Sequence, residues 1–306
     1  MGPARKYDRI INEPIPFLLW QQERPSEAKR GGCLLVTSEV RDVRDELFSH
    51  LLHTQVTAVL TTEQDGVAVG LLEAAEAARS LGLKGDVLAK DGSVVKAGQP
   101  LLRVQGTPKG VVMTEDIVIG IIAKPSGIAT AARAAAEAAG GTVEVVAGAW
   151  KKVPPECKKA FRTAALLGGL RTRIAEHPFV YLDKNYVRIL GGVVQALEAA
   201  RRMEGRTLVV QLKGETGPID EEAVEAAHAG AAIVMIDTGN ENDLREVICR
   251  LEKEGLRRSV KVAFAGGIRI EDIGRIGALG ADIVDIGTAI VDAPMMQLRF
   301  DVISVS

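Results

Sequence analysis

From residue 143 onward, short and nearly unbroken apolar runs alternate with stretches of helical period. The runs Val143 to Ala147, Thr207 to Leu212, Ala232 to Ile236, Val260 to Ala265 and Ala281 to Ile286 predict strands. Phe179 to Leu182 and Tyr186 to Ile189 are shorter strand candidates. Between them the spacing predicts helices over Pro155 to Leu167, Val193 to Met203, Glu221 to Ala229, Asn242 to Glu254 and Glu271 to Leu279. Strands without polar alternation are buried on both faces, as in a parallel sheet covered by helices. Repeated right-handed βα units close into a barrel or open into a doubly wound sheet. The expectation here is an α/β barrel over residues 113–297.

The pattern upstream is different. Residues 1 to about 30 read as a polar leader or arm. Leu34-Leu35-Val36, Val56 to Thr61 and Val67-Ala68-Val69 read as short strands, and Glu73 to Ser80 as a helix ended by Gly82. Turn signals at Asp91-Gly92 and Ala97-Gly98 separate further short apolar pieces. Residues 31–112 are therefore expected to form a small α+β domain. A long helix is expected to start near Thr114, with Glu115 and Asp116 in its first turn. Its pattern breaks at Pro125-Ser126-Gly127 and resumes to Ala139. Leu298 to Val305 alternates apolar and polar residues, as a terminal strand returning to the small domain would.

Composition narrows the partners. The chain has 306 residues, enough for two domains, and 47% of them are hydrophobic, enough for a large core. A formal charge of -2 suggests neither nucleic acid nor an anionic membrane as partner. Cys33, Cys157 and Cys249 are isolated, which argues against a disulfide framework or structural zinc and for a reducing cytoplasm. The longest apolar run, Ile117 to Ala123, is far below a membrane span.

The sharpest chemical signal is paired. The strand ending at Ala265 runs into Gly266-Gly267-Ile268, and the strand ending at Ile286 runs into Gly287-Thr288. Glycines just past a strand let backbone N–H groups approach an anion. In barrels the loops after the last two strands commonly bind phosphate. Asp237 directly follows a strand; it is a candidate partner for a ribose hydroxyl or Mg²⁺, and equally a turn or cap residue before Thr238-Gly239-Asn240. Lys151, Lys152, Arg171, Arg173 and Lys184 form a basic cluster suited to pyrophosphate or carboxylate. Gln211 and Lys213 alternate on one strand, so one face points toward the barrel mouth.

These positions resemble the quinolinate phosphoribosyltransferase family, nicotinate-nucleotide pyrophosphorylase (carboxylating), from about residue 55 onward. Ser126-Gly127-Ile128-Ala129-Thr130 is similar to its S-G-I-A-T helix motif, Ala265-Gly266-Gly267-Ile268 to its S-G-G-I phosphate loop, and Asp282 to Thr288 to its final phosphate-binding strand and loop. The resemblance implies an open α/β barrel with a small α+β domain. It further implies a dimer or higher homo-oligomer in which one subunit's small domain covers another's barrel mouth. It carries over Lys151 from a T-R-K-T-T-P stretch, with Trp150 in place of the arginine. It carries over Arg173 from G-G-G-x-N-H-R, with Thr172 in place of the histidine. The family's I-K-D-N-H reads Leu182-Asp183-Lys184-Asn185-Tyr186, with lysine and aspartate exchanged; its strand glutamate falls on Gln211, and its barrel aspartate on Asp237. Its E-R pair falls on Glu115-Asp116, a charge reversal where an arginine helps hold the pyridine dicarboxylate. A close charge pair at an effective dielectric of about 20 is worth roughly 4 kcal/mol before screening, so a less anionic base than quinolinate is favoured.

The implied activity is transfer of phosphoribose from phosphoribosyl pyrophosphate to a pyridine-like nitrogen base in pyridine nucleotide biosynthesis. Lys151, Arg173, Lys184 and Asp237 are the expected catalytic groups. Gly266, Gly267, Ile268, Gly287, Thr288, Lys152, Arg171 and Gln211 are the expected substrate-binding groups, with Mg²⁺ as the candidate cofactor. The alternative is a non-catalytic paralogue that binds a phosphorylated metabolite. A third reading is another barrel enzyme acting on a sugar phosphate, such as an isomerase or an aldolase; aldolase chemistry would need Lys213 as its Schiff-base lysine.

Overall fold

The computed structural model describes residues 42–306; the leader over residues 1–30 and the strand expected at Leu34-Leu35-Val36 lie outside the described residues. The first part of the described chain runs α1 (Val43–Leu47), β1 (Val56–Thr62), β2 (Gly66–Val67), α2 (Leu71–Ser80), β3 (Lys84–Val87), β4 (Val94–Val95), β5 (Pro100–Gly106) and α3 (Pro108–Ala139). Then follow β6 (Glu144–Ala147), α4 (Lys158–Leu167), β7 (Phe179–Leu182), α5 (Lys184–Leu190), α6 (Val193–Arg201), β8 (Thr207–Leu212), α7 (Ile219–His228), β9 (Ile233–Asp237), α8 (Glu241–Lys253) and β10 (Lys261–Ala265). The chain closes with α9 (Ile273–Ala278), β11 (Ile283–Ile286), α10 (Thr288–Val291) and β12 (Leu298–Val305).

Two main sheets result. Four strands form an antiparallel sheet in the order β12-β1-β5-β3, and six parallel strands form a half-barrel in the order β6-β11-β10-β9-β8-β7. The terminal strand β12 pairs with β1, Leu298 opposite Thr62 and Val305 opposite Val56. Alternate residues of β1, among them Ala58 and Leu60, face a core shared with Leu71, Ala75, Val118 and Ile122 of α2 and α3.

The parallel strands read as unbroken apolar runs because both faces are covered, by different partners. Val210, Leu212, Val234, Ile236, Val262, Phe264, Val284 and Ile286 point outward into the helical layer. Val146, Val209, Ile233, Met235, Ala263, Ala265 and Ile283 point inward and pack on one another. Apart from Met235, this inward set consists of small and branched side chains, which fits the narrow interior of a strand cylinder.

Three local expectations are corrected. The long helix starts at Pro108 rather than near Thr114: Thr107 caps it by accepting from Gly110 N at 3.2 Å, and proline suits the first helical position. Thr114 instead lies buried inside the helix, its hydroxyl donating to the Gly110 carbonyl. The helix is also continuous through Pro125. Proline there removes the donor for the Ile121 carbonyl, and Gly70 of the small domain packs against that oxygen; a β-carbon on Gly70 would lie 2.6 Å from it. Finally, Tyr186 to Ile189 belongs to a helix, α5, and not to a strand. The Asp183 carboxylate caps it by accepting from Asn185 N and Tyr186 N at 2.9 and 3.3 Å, which outweighs the β-propensity of the run.

The Ser126-to-Thr130 stretch is a docking strip. Val69 N donates to Ser126 Oγ, and Val67 N to Thr130 Oγ1, both at 2.9 Å. Gly127 lies against the backbone of Pro294 and Met295, where a β-carbon would be 3.0 Å from the Pro294 carbonyl carbon. Among the described residues no helix is long and apolar enough to cross a membrane. Cys157 and Cys249 are free thiols.

Candidate functional site at the half-barrel mouth

Parallel register sets the site. Ala265, the last residue of β10, lies opposite Asp237 on β9 and opposite Asp285 on β11. The two glycine turns therefore leave neighbouring strands at the same end of the half-barrel, next to Asp237. Gly266 and Gly267 have φ of +112° and +72°, backbone that L side chains rarely adopt. Both are exposed, while the Ile268 side chain is buried in the helical layer and anchors the turn. Gly239 N donates to the Ala265 carbonyl at 3.0 Å, and Gly239 and Gly266 touch backbone to backbone. Gly287 precedes α10, whose first residue is Thr288; a β-carbon on Gly287 would lie 2.9 Å from that of Ala149, so the turn after β6 closes onto this turn.

Two lysines of the mouth, Lys151 and Lys213, are already paired. Lys151, in a 3-10 turn after β6, forms an ion pair with Asp183. Burial alone would raise the Asp183 pKa, but the Lys151 ammonium and the two capping N–H groups hold it below the ordinary carboxylate value. Gln211 reaches across the mouth: its Nε2 donates to the Asp237 carboxylate, and its Oε1 accepts from Lys184 N at 2.8 Å. Lys213 Nζ lies 3.2 Å from Asp237 Oδ2 and donates to the Asp237 carbonyl. A Schiff-base mechanism needs an amine free to attack, and this one is engaged by Asp237.

Lys152 and Arg173 are exposed, and among the described residues their side chains form no ion pair. Lys184 is also exposed, beside the Arg188–Glu215 pair. Arg171 is a correction to the expected phosphate-binding set. Its backbone bridges Val146, but its guanidinium pairs with Glu144 at the start of β6, near Lys261 at the start of β10. That carboxylate holds it at the opposite end of the strands from the glycine turns. Trp150 donates its Nε1–H to the Ala147 carbonyl at 2.7 Å and stacks under Arg162, 5.3 Å from the ring centroid. Asp116 lies on the part of α3 that packs on the small sheet, exposed and 3.7 Å from Arg44.

Sequence reading missed two inward groups. Tyr181 donates its hydroxyl proton to Met235 Sδ at 3.0 Å. Burial, then the charges of Asp285, Asp237 and Asp183, push its phenol above the ordinary value. Asp285 points into the mouth where Gly148 leaves room; a β-carbon on Gly148 would lie 2.9 Å from Asp285 Cγ. Burial, then the Asp237 charge, raise its pKa to about 7. Counting back by two from Gly287 would have placed Asp285 on the inner face. For a cation, the described residues provide no group of three or more His, Cys, Asp or Glu side chains.

A half-barrel of six parallel strands with an antiparallel α+β lobe, and paired glycine turns beside a strand-end aspartate, is the frame of a pentosyltransferase. Residues 42–126 match the N-terminal domain and residues 128–301 the C-terminal domain of quinolinate phosphoribosyl transferase. The chain belongs to the quinolinate phosphoribosyltransferase family. A probable nicotinate-nucleotide pyrophosphorylase [carboxylating] of Methanothermobacter thermautotrophicus is 27% identical over 251 residues, covering 81% of this chain and 89% of that protein. The human nicotinate-nucleotide pyrophosphorylase [carboxylating] is 30% identical over 214 residues, 68% of this chain and 69% of its own. The crystal structure of nicotinate-nucleotide pyrophosphorylase from Pyrococcus furiosus superposes with a TM-score of 0.73 at 23% identity, covering 86% of this chain and 74% of that one.

Proposed function

We propose that the chain transfers phosphoribose from phosphoribosyl pyrophosphate to a ring nitrogen of a base less anionic than quinolinate. The observation that carries this reading is the pair of glycine turns on adjacent strands, level with Asp237. In this reading the backbone N–H groups of Gly266, Gly267, Ile268, Gly287 and Thr288 hold the 5′-phosphate. The exposed cations Lys152, Arg173 and Lys184, with Lys151, meet the pyrophosphate and stabilise its charge as the C1–O bond breaks. Asp237, oriented by Gln211 and Lys213, takes a ribose hydroxyl.

Mg²⁺ fits this arrangement as a companion of the phosphates rather than as a caged ion. Asp237 would hold it through Oδ1, the oxygen that Gln211 and Lys213 leave free. When bound it would neutralise pyrophosphate charge. The chain is further proposed to act as a homodimer or larger homo-oligomer, testable by light scattering. Pyrophosphate release, measured with a panel of pyridine and azole acceptors, tests the activity; no release with any acceptor counts against it. A second reading, a non-catalytic binder of a ribose phosphate, draws support from the internal Lys151–Asp183 and Lys213–Asp237 pairs. Calorimetric binding of a ribose phosphate without turnover would favour it.

A further inference from the structure

Asp285 is a carboxylate at the mouth that the proposed reaction leaves unused. Lys151 is matched to Asp183, and Lys213 to Asp237. Asp285 has no such match: among the described residues it forms no hydrogen bond or ion pair, and the charge that influences it is another carboxylate, Asp237. It stands two residues before Gly287, on the inward face of β11. Beside it Gly148 and Ala265 carry little or no side chain, and Met235 and Tyr181 face the same half-barrel interior from other strands. Ribose already has Asp237 and Gln211 available. An unmatched acceptor at the mouth, with only small neighbours beside it, calls for a ligand that brings its own donor.

Resting on the phosphoribosyltransferase reading, we propose that Asp285 selects the acceptor. It accepts a hydrogen bond from a ring N–H or exocyclic amino group, so that the substrate is a neutral or cationic heterocycle carrying such a donor and no carboxylate. A base with carboxylates would place its negative charge against Asp285 and Asp237, and the unpaired cations described at the mouth, Lys152, Arg173 and Lys184, are the exposed ones assigned to pyrophosphate. Trp150, tied to Ala147 and Arg162, supplies no further cation.

The test uses the full chain. Calorimetry first measures phosphoribosyl pyrophosphate binding without any acceptor. Pyrophosphate release is then followed with aminopyridines, aminoimidazole and benzimidazole, against nicotinate and quinolinate. The expected result is a kcat/KM for the best donor-bearing heterocycle at least about 100-fold above either carboxylate. Asp285→Ala should raise that acceptor's KM by about tenfold or more while leaving phosphoribosyl pyrophosphate affinity within about twofold. Asp285→Asn, of equal volume, guards against misfolding and should fall between, because its amide oxygen still accepts. The proposal is overturned by preference for a carboxylate base, by an unchanged acceptor KM in Asp285→Ala, or by a loss confined to phosphoribosyl pyrophosphate binding. Failure of the wild-type chain to bind phosphoribosyl pyrophosphate overturns the transferase reading itself, and this inference with it.

Discussion

Gly266 and Gly267 are neighbours in one turn, yet alanine should act differently at each. At Gly267, φ is +72° and a β-carbon would meet nothing within 4 Å, so the penalty is that of left-handed backbone, about 1–2 kcal/mol. At Gly266, φ is +112°, outside even that region, and the strain is of order 1–3 kcal/mol. The added carbon would also lie 2.9 Å from Gly239 Cα and 3.0 Å from the Thr238 carbonyl carbon, all of it backbone that cannot rotate away. Overpacking adds roughly 1–3 kcal/mol, for a total of roughly 2–6 kcal/mol. Relief requires shifting the loop that follows Asp237, so ligand affinity should fall together with stability. Thermal unfolding reads the first effect, since each kcal/mol moves the midpoint by roughly 2–4 °C in a chain of this size. Calorimetry with phosphoribosyl pyrophosphate reads the second. Equal melting temperatures for Gly266→Ala and Gly267→Ala, or unchanged affinity in the former, refute the reasoning.

Other outcomes follow from the same contacts. Within α3, Gly120→Ala meets open space and should stabilise by roughly 0.5–1 kcal/mol, whereas Gly127→Ala collides with Pro294 and should destabilise by roughly 1–3 kcal/mol; chemical denaturation checks the opposite signs. Asp183→Ala removes an N-cap and should cost about 0.5–2 kcal/mol at neutral pH. Because the Asp183 pKa is lowered in the fold, its contribution is present above the ordinary carboxylate value and lost as pH falls through the folded value. The gap between this variant and wild type should therefore close in acid. Asp285 has the opposite sign: its carboxyl, raised from 3.8 to about 7 by burial and then Asp237, makes the native state bind the proton more tightly. Stability should fall across that interval by up to about 1.4 kcal/mol per pH unit, and Asp285→Asn should flatten the slope in melts from pH 4 to 8.

Much of the fold is visible in the chain because its signals are local. Unbroken apolar strands, the glycines that end them and the alternation of Leu298 to Val305 each depend on a few consecutive residues. What escaped depends on direction and distance. A strand such as Ile283–Ile286, apolar on both faces, does not advertise that Asp285 looks inward until Gly148 is found facing it. The partners Lys151 and Asp183 are 32 residues apart, and Arg171 and Glu144 are 27 apart. Nothing nearby in sequence told the first arginine of Arg171-Thr172-Arg173 to turn toward Glu144. The exchange of Asp183 with Lys184 hides its structural work, which is to start a helix where the run predicts a strand. Pro125 read as a break because proline removes a donor; the helix survives it with Gly70 packed against the freed carbonyl.

The helix α3 runs without interruption for 32 residues, its first half embedded in the antiparallel lobe and its second half in the half-barrel. A shared axle of this kind leaves no joint about which the lobes could swing apart. Severing the chain near residue 126 would strip each fragment of half its rod and expose the alanine-rich face of the other. Hydrogen exchange should therefore protect the sheets of both lobes to a common free energy, because neither can open without unravelling the rod it shares with the other.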